Sequence, residues 1–389
     1  MFDVIISGAG PSGSKCAEIV AKNGYKVALI ERDTNWRKPC GGAVSNRIFK
    51  YYPKIRKLNF QRIYGISMYS ADYFNFQYSW KGIQDYSINV DRLEFDNTIR
   101  DTAIEAGAEL FDKNMSYDFI TKNKKKIGIK TKTSSGTNQL LGKIIVIGDG
   151  MSSKLATKSG LREKWKIEEI YSAKCAIMEG ENLLDKEIMN IFFRSHKGYG
   201  WIFPLGDKKF NIGAGLSQEM YKQYDVNKFF SDFLNDPHVK KLLPNPNYKE
   251  IWKSNYPLPA LGVKEKCLIG DNLMIIGDAA GFVSPISGEG IHASIVSGQI
   301  AGETAVMALE NENISKESLK KYKTHSYIRK ISRNFKLKRS LAHFFFENEG
   351  KNLSKLFELA EKETKFREEL INLFLYNQAP SRDFILKTK

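Results

Sequence analysis

The chain has 389 residues, enough for a full core and two domains, and its 42% hydrophobic and 27% charged residues mark ordinary globular material. Sixty Lys and Arg against 44 Asp and Glu leave a net charge of +16, which favours an anionic partner such as a membrane surface, while the absence of any nucleic-acid-binding signature sets nucleic acid aside. Cys16, Cys40, Cys175 and Cys267 form no CxxC pair and the histidines show no ligand spacing, so neither a disulfide framework nor a metal site is expected.

Residues 3–31, DVIISGAGPSGSKCAEIVAKNGYKVALIE, read strand, glycine turn, helix, strand, the opening of a doubly wound sheet. Nothing before them has the basic and apolar pattern of a signal peptide. Within this opening, Gly8, Gly10 and Gly13 form GxGxxG: the first permits a tight turn, the second lets backbone approach a pyrophosphate, and the third packs helix on strand. Glu31 ends the next strand, where a carboxylate accepts hydrogen bonds from a ribose hydroxyl. Ser12 and Arg32 flank these positions and complete the expected binding set at this end of the chain.

The segment KPCGGAVS, Lys38 to Ser45, places Cys40 between Pro39 and the flexible pair Gly41 and Gly42. Residues 60–90 alternate as antiparallel strands do, and VDRLEFDNTIRDTAIEAG then predicts a helix carrying Leu93, Ile99 and Ala103. A strand pair follows with its hairpin at Asn123 to Lys126. From Ile170 to Leu216 the pattern is again strand-rich, and in YGWIFP the residues Trp201 and Phe203 alternate with Gly200, Ile202 and Pro204, so one face of that strand carries rings. After about residue 315 the chain reads as helices, with apolar clusters such as LAHFFFENEG and LINLFLYN. No segment reaches the roughly 18 apolar residues of a spanning helix. A cytoplasmic protein is expected, soluble or peripheral on the inner face of the cell membrane.

Two further segments are strands ending in an acidic turn: IIVIGDG, with Asp149 and Gly150, and LMIIGDAAGFVSPISGEGIHASI, with Gly277, Asp278, Gly288, Gly290 and Ile291. Asp278 stands at a strand end, where it can bind a ribityl or ribose hydroxyl, and the small residues after it let a helix start approach a phosphate. Together with GxGxxG, these segments resemble those of flavoproteins with the para-hydroxybenzoate hydroxylase-type fold, and the resemblance implies FAD. Arg92 in NVDRLEFD occupies the place of that family's arginine near the flavin. Within this superfamily KPCGGAVS and YGWIFP are similar to the geranylgeranyl reductases, over roughly residues 1–340. The family pattern PxxYxWxFP is met at Tyr199, Trp201, Phe203 and Pro204, with His196 where its first proline would stand.

The resemblance implies an α/β protein: a doubly wound FAD-binding domain (1–60, 86–160, 265–335) interleaved with an antiparallel-sheet substrate domain (61–85, 161–264), plus a C-terminal helical region (336–389). It implies a reductase that saturates geranylgeranyl chains, those of archaeal-type membrane phospholipids foremost. An isoprenoid offers only apolar area to recognition, about 0.8 kcal/mol for each buried methylene, and rigid rings suit it. Tyr199, Trp201, Phe203 and Pro204 are the expected substrate wall, and Cys40, Tyr199 and Trp201 the expected catalytic group. Cys40, Gly41, Gly42 and Arg92 also join the flavin set. His292 reads as structural. The expected partners are a geranylgeranylated lipid, an anionic membrane surface and an electron donor, either ferredoxin or a nicotinamide. Two alternatives share the fold: a flavin monooxygenase or halogenase, and a non-catalytic prenyl-binding escort protein.

Overall fold

The structure is a computed structural model that describes residues 1–82, 86–194, 198–217, 225–347, 350–376 and 378–388; His196 lies outside them. In chain order the first elements are β1 (Phe2–Ser7), α1 (Pro11–Lys22), β2 (Val27–Ile30), β3 (Ala43–Ser45), β4 (Phe60–Ile63), β5 (Gly65–Tyr69), β6 (Asn75–Ser79), β7 (Ser87–Val90) and α2 (Arg92–Glu105). Next come β8 (Glu109–Phe111), β9 (Met115–Lys122), β10 (Lys125–Thr133), β11 (Gly136–Ile147), α3 (Lys154–Lys158), β12 (Ile170–Glu179), β13 (Ile188–Arg194), β14 (Gly198–Pro204) and β15 (Lys209–Ser217). The remainder are α4 (Val226–Leu234), α5 (Pro237–Leu242), β16 (Lys249–Pro259), β17 (Ile269–Gly270), β18 (Leu273–Ile275), α6 (Ile291–Glu310), α7 (Lys316–Thr324), α8 (Ser326–Phe346), α9 (Lys351–Lys362), α10 (Thr364–Leu375) and α11 (Arg382–Lys387).

These elements form two compact units. The first comprises Met1–Trp36, Asp96–Trp165 and Pro259–Lys336. Its eight-stranded sheet runs β17-β18-β11-β1-β2-β8, parallel along that path except for the short β17, with the antiparallel β10 and β9 branching from β11. Val4, Ile5 and Ile6 of β1 are buried, as a central parallel strand covered on both faces requires. The β9–β10 hairpin turns at Asn123 and Lys124, both left-handed, within the expected span. Helix α6 lies on α1 through its small residues: a β-carbon at Gly298 would stand 2.0 Å from the Ser12 carbonyl oxygen, and one at Gly302 2.9 Å from Ile19.

The second unit comprises Arg37–Phe95, Lys166–Leu258 and Leu337–Lys389. Its seven-stranded sheet runs β16-β12-β15-β14-β13-β5-β6 and is antiparallel apart from the β13–β5 pair, so far as its pairs are described. One face packs Ile202, Phe210, Ile212 and Leu216 against Phe229, Phe230 and Phe233 of α4. Residues 37–60 and 86–95, expected with the dinucleotide-binding segments, fold into this unit instead. The reason is pairing: β3 and β4 both bond to β7 in a small three-stranded sheet. The helices after Leu337 likewise belong to this unit rather than to a region of their own. Among them Lys338 is fully buried, and its Nζ donates to the carbonyl of Leu373 in the last turn of α10.

Candidate active site

In the first unit, the three glycines of the opening turn meet three different constraints. Gly8 has a φ of 95°, and a β-carbon there would stand 2.4 Å from the Gly148 carbonyl oxygen; one at Gly13 would stand 1.8 Å from the Gly8 carbonyl oxygen. Gly10 has no atom within 4 Å of that position. The protein therefore leaves open the one place where a pyrophosphate must come close. Gly10 is also the N-cap of α1 and, lacking a side chain, caps none of the helix's first amides.

Glu31 Oε2 accepts from the Ala9 amide at 2.9 Å, which brings the carboxylate expected at the ribose onto the same turn. Asp149 lies against Gly8, and its Oδ1 is buried without a partner among the described residues. Burial raises the Asp149 carboxyl to about 6, with the nearby Ser153 and Ser7 and the charge of Arg162 opposing the rise. Gly277 has a φ of 58°, and a β-carbon there would stand 2.4 Å from Ser12 Oγ, so the late glycine-acidic turn and Asp278 abut the start of α1. Gly288, left-handed, and Gly290, the N-cap of α6 before Ile291, follow in the same unit. Gly150 is left-handed beside Asp149. Arg32, also expected in the binding set, lays its guanidinium over the Trp36 ring, 4.6 Å from the centroid. His292 faces Tyr327, whose hydroxyl is 3.4 Å from its Nδ1. The open Gly10, the uncapped α1 and the orphaned Asp149 oxygen fit an adenine dinucleotide.

The second unit holds the rings. On β14, Gly200 points at the Phe233 ring on the core side, so Tyr199, Trp201 and Phe203 share the opposite face. Tyr199 and Trp201 have centroids 6.0 Å apart, Trp201 and Phe203 6.3 Å. From Tyr199 the run passes to Phe193 on β13 at 5.9 Å, and Phe193 meets Phe374 at 5.4 Å, Phe357 at 6.3 Å and Phe346 at 6.5 Å. Trp201 itself lies across Gly213, where a β-carbon would stand 2.1 Å from the indole.

The turn of Cys40, Gly41 and Gly42 sits on this face. Expected to be flexible, it is tightly seated: a β-carbon at Gly41 would be 2.5 Å from the Phe203 ring and one at Gly42, at φ 79°, 2.3 Å from the Val90 carbonyl oxygen. Asn211 Nδ2 donates to the Cys40 carbonyl at 2.9 Å, and Trp201 Nε1 donates to Asn211 Oδ1 at 2.8 Å. Pro204 ends the strand with its carbonyl accepting from Asn89 Nδ2 at 2.9 Å. Cys40 is partly exposed, whereas Cys175, paired with Gly213 on the neighbouring strand, is buried. Burial pushes the Cys175 thiol up to about 12, the nearby Cys40 thiol adding to the rise while the Cys40 backbone and the Arg92 charge oppose it. Burial also lifts the Tyr199 phenol, with Cys40 and Tyr171 reinforcing it. Arg92, buried at the start of α2, thus belongs to the ring-bearing unit.

Residues 169–245 match the geranylgeranyl reductase catalytic domain, and residues 3–175 match glucose inhibited division protein A. A digeranylgeranylglycerophospholipid reductase of Methanosphaera stadtmanae is 32% identical over 330 residues, covering 82% of this chain and 79% of the relative. The chain belongs to the geranylgeranyl reductase family. A second such reductase, of Methanococcus aeolicus, is 30% identical over 88% of this chain and 87% of its own. Among solved structures, a geranylgeranyl bacteriochlorophyll reductase-like protein of Thermoplasma acidophilum aligns with a TM-score of 0.83 at 24% identity, over 100% of this chain and 95% of that one. A flavin-dependent brominase aligns at 0.77 and 20% identity, over 98% and 95%. Those two likenesses are of fold.

In this geranylgeranyl reductase, sequence reasoning missed Asn211, Phe193 and the rings of the C-terminal helices. The apolar clusters around Phe346 and Phe374 were visible as helix faces, but nothing in their spacing places them beside Phe193.

Proposed function

We propose that this geranylgeranyl reductase saturates the double bonds of geranylgeranyl chains on an archaeal-type glycerophospholipid, with the ring wall from Phe203 through Trp201, Tyr199 and Phe193 as the seat of the prenyl chain. That wall is the observation that carries the reading. It offers apolar faces and almost no hydrogen-bonding groups, which suits a ligand recognised by dispersion and desolvation alone.

The cofactor is FAD. The residues to hold it are Gly8, Gly10, Ser12, Gly13, Glu31, Asp149, Gly150, Gly277, Asp278, Gly288, Gly290 and Ile291, with Gly41, Gly42 and Arg92 in the proposed flavin set. When bound and reduced, FAD supplies hydride to one carbon of the alkene. The other carbon needs a proton, and Cys40 is the residue proposed to deliver it. Tyr199 suits that task less well, since burial lifts its phenol and makes it a poorer acid. Tyr199, Trp201 and Phe203 exclude water from the chain, and their faces would stabilise positive charge developing on the hydride-accepting carbon as its neighbour takes the proton.

The exposed Lys316, Lys320 and Lys321 of α7 and Arg329, Lys330, Arg333 and Lys336 of α8 support a peripheral position on an anionic lipid surface, each basic residue near such a surface contributing about 1 kcal/mol. No helix among the described residues is long and apolar enough to cross a membrane. Ferredoxin or a nicotinamide is the proposed source of electrons.

The test is anaerobic incubation of the FAD-loaded protein with dithionite and a digeranylgeranylglycerophospholipid, followed by mass spectrometry. A gain of one H2 for each saturated bond supports the reading. Lipid recovered unchanged, or product hydroxylation or bromination only when oxygen and bromide are supplied, would overturn it in favour of the monooxygenase or halogenase chemistry of the shared fold.

A further inference from the structure

We infer that Asn211 is a positioning residue that holds the Cys40 turn and the Trp201 ring in one fixed arrangement through its single side-chain amide. The inference rests on the reading that Cys40 and Trp201 act on the prenyl chain.

The geometry has little freedom. Asn211 stands two residues before Gly213 on β15, on the face that carries the rings, and is 4% exposed. Its Oδ1 accepts from Trp201 Nε1 at 2.8 Å and its Nδ2 donates to the Cys40 carbonyl at 2.9 Å. Rotating the amide by half a turn would set its NH2 against the indole N–H and its oxygen against the Cys40 carbonyl, two repulsive pairs in place of two bonds. Only one orientation is therefore available. Trp201 has a second restraint, the bare Gly213 beneath its ring, and the Cys40 turn has a second one in Gly41 packed on Phe203. Gly41 also packs against the indole edge, where a β-carbon would stand 3.2 Å from Trp201 Nε1. Asn211 adds a hydrogen bond to each partner, across 171 positions of sequence to Cys40 and 10 to Trp201.

A buried amide with both ends engaged is costly to replace, because each lost partner leaves an unsatisfied polar group. An aspartate at this site has the same shape, yet its second oxygen bonds the Cys40 carbonyl only when protonated. Facing a carbonyl and out of water, that carboxyl holds its proton to a pH above the ordinary carboxylate range. The titratable and charged groups of this face are Cys40, whose carbonyl Asn211 bonds, Cys175, which feels Cys40 and Arg92, and Tyr199, which feels Cys40 and Tyr171, all present in wild type. Comparing variant with wild type at each pH removes their contribution.

The experiment uses full-length, FAD-loaded protein as wild type, Asn211→Leu and Asn211→Asp, at pH 5 and pH 8. Two quantities are read: kcat on a digeranylgeranyl lipid with reduced flavin, and the rate at which iodoacetamide alkylates Cys40, followed by peptide mass spectrometry. For Asn211→Leu, kcat falls tenfold or more and Cys40 alkylation speeds up severalfold at both pH values, with bound FAD as in wild type. For Asn211→Asp, both changes are present at pH 8 and both shrink severalfold, relative to wild type, at pH 5. Wild-type alkylation and kcat in Asn211→Leu would overturn the proposal, as would an Asn211→Asp whose ratio to wild type is the same at both pH values. Should Asn211→Leu fail to fold, the two pH values of Asn211→Asp decide alone. A wild type that reduces no prenyl lipid brings down the functional reading instead, and the alkylation arm still tests the clasp.

Discussion

Trp201 lies across Gly213 on the adjacent strand so closely that a single added methyl would stand 2.1 Å from the indole. The ring's tilt is thus set by a missing side chain as much as by its neighbours. Replacing Gly213 with Ala should push the indole off the strand, lower turnover tenfold or more, and cost about 1–3 kcal/mol of stability from overpacking. FAD content should stay at the wild-type level. Unchanged kinetics in a well-folded Gly213→Ala protein would show that the ring's position is unimportant.

Gly10 and Gly13 offer a matched pair of substitutions with opposite expected outcomes. Gly10→Ala meets no protein atom, so its melting temperature should match that of the apo wild type while its affinity for FAD drops. Gly13→Ala collides with the Gly8 carbonyl and should lose stability and FAD together. Thermal melts with and without added FAD, read against flavin absorbance, separate the two; equal FAD affinity for Gly10→Ala and wild type would contradict the cradle.

The four thiols should split in two. Cys16 and Cys175 are buried and burial raises both, Cys175 to about 12, while Cys40 and Cys267 are partly exposed. Native protein at pH 8 should therefore release close to two equivalents of thionitrobenzoate from Ellman's reagent and close to four after denaturation. Cys40→Ala should remove one equivalent from the fast pair and reduce turnover by about 10²-fold, the scale of a positioned proton donor, with flavin retained. Full turnover in that variant assigns Cys40 to packing.

Asp149 gives the apo protein a pH signature. Its folded-state value, about 6, lies above the ordinary aspartate value of 3.8, so the folded chain keeps a proton that the unfolded chain releases. Its contribution to stability is present below the unfolded value and is lost as pH rises toward 6. Asp149→Asn cannot ionise, so the stability of this variant minus that of wild type should grow between pH 4 and pH 6 and level off above. Denaturant titrations of both apo proteins across that range provide the check, and a flat difference would refute the assignment.

Much of the first unit was legible because its signals are local. Gly8, Gly10 and Gly13 lie within six residues, Glu31 ends the next strand, and the hairpin at Asn123 is a turn between two alternating runs. The ring face of β14 was legible too, since a strand's period of two shows in seven residues. What escaped depends on distant partners. Residues 37–60 are expected with the dinucleotide-binding segments, yet β3 finds its partner at Ser87–Val90 in the ring-bearing unit. Asn211 looks like any polar residue in an alternating strand until Cys40, far away in sequence, is seen to rest on it.

The contact between Phe193 and Phe374 has a consequence for how the protein is made. Chains are synthesised from the N-terminus, and domains fold as their segments emerge. The sheet bearing Tyr199, Trp201 and Phe203 is complete long before α10 leaves the ribosome, so a half-built wall of bare rings exists for the time needed to translate more than a hundred further residues. During that interval the rings are an adhesive surface, open to any apolar segment nearby. Closure by the last helices ends this exposure at the same moment that it completes the proposed lipid seat, so the nascent protein gains a finished ring wall and protection from aggregation in a single late event.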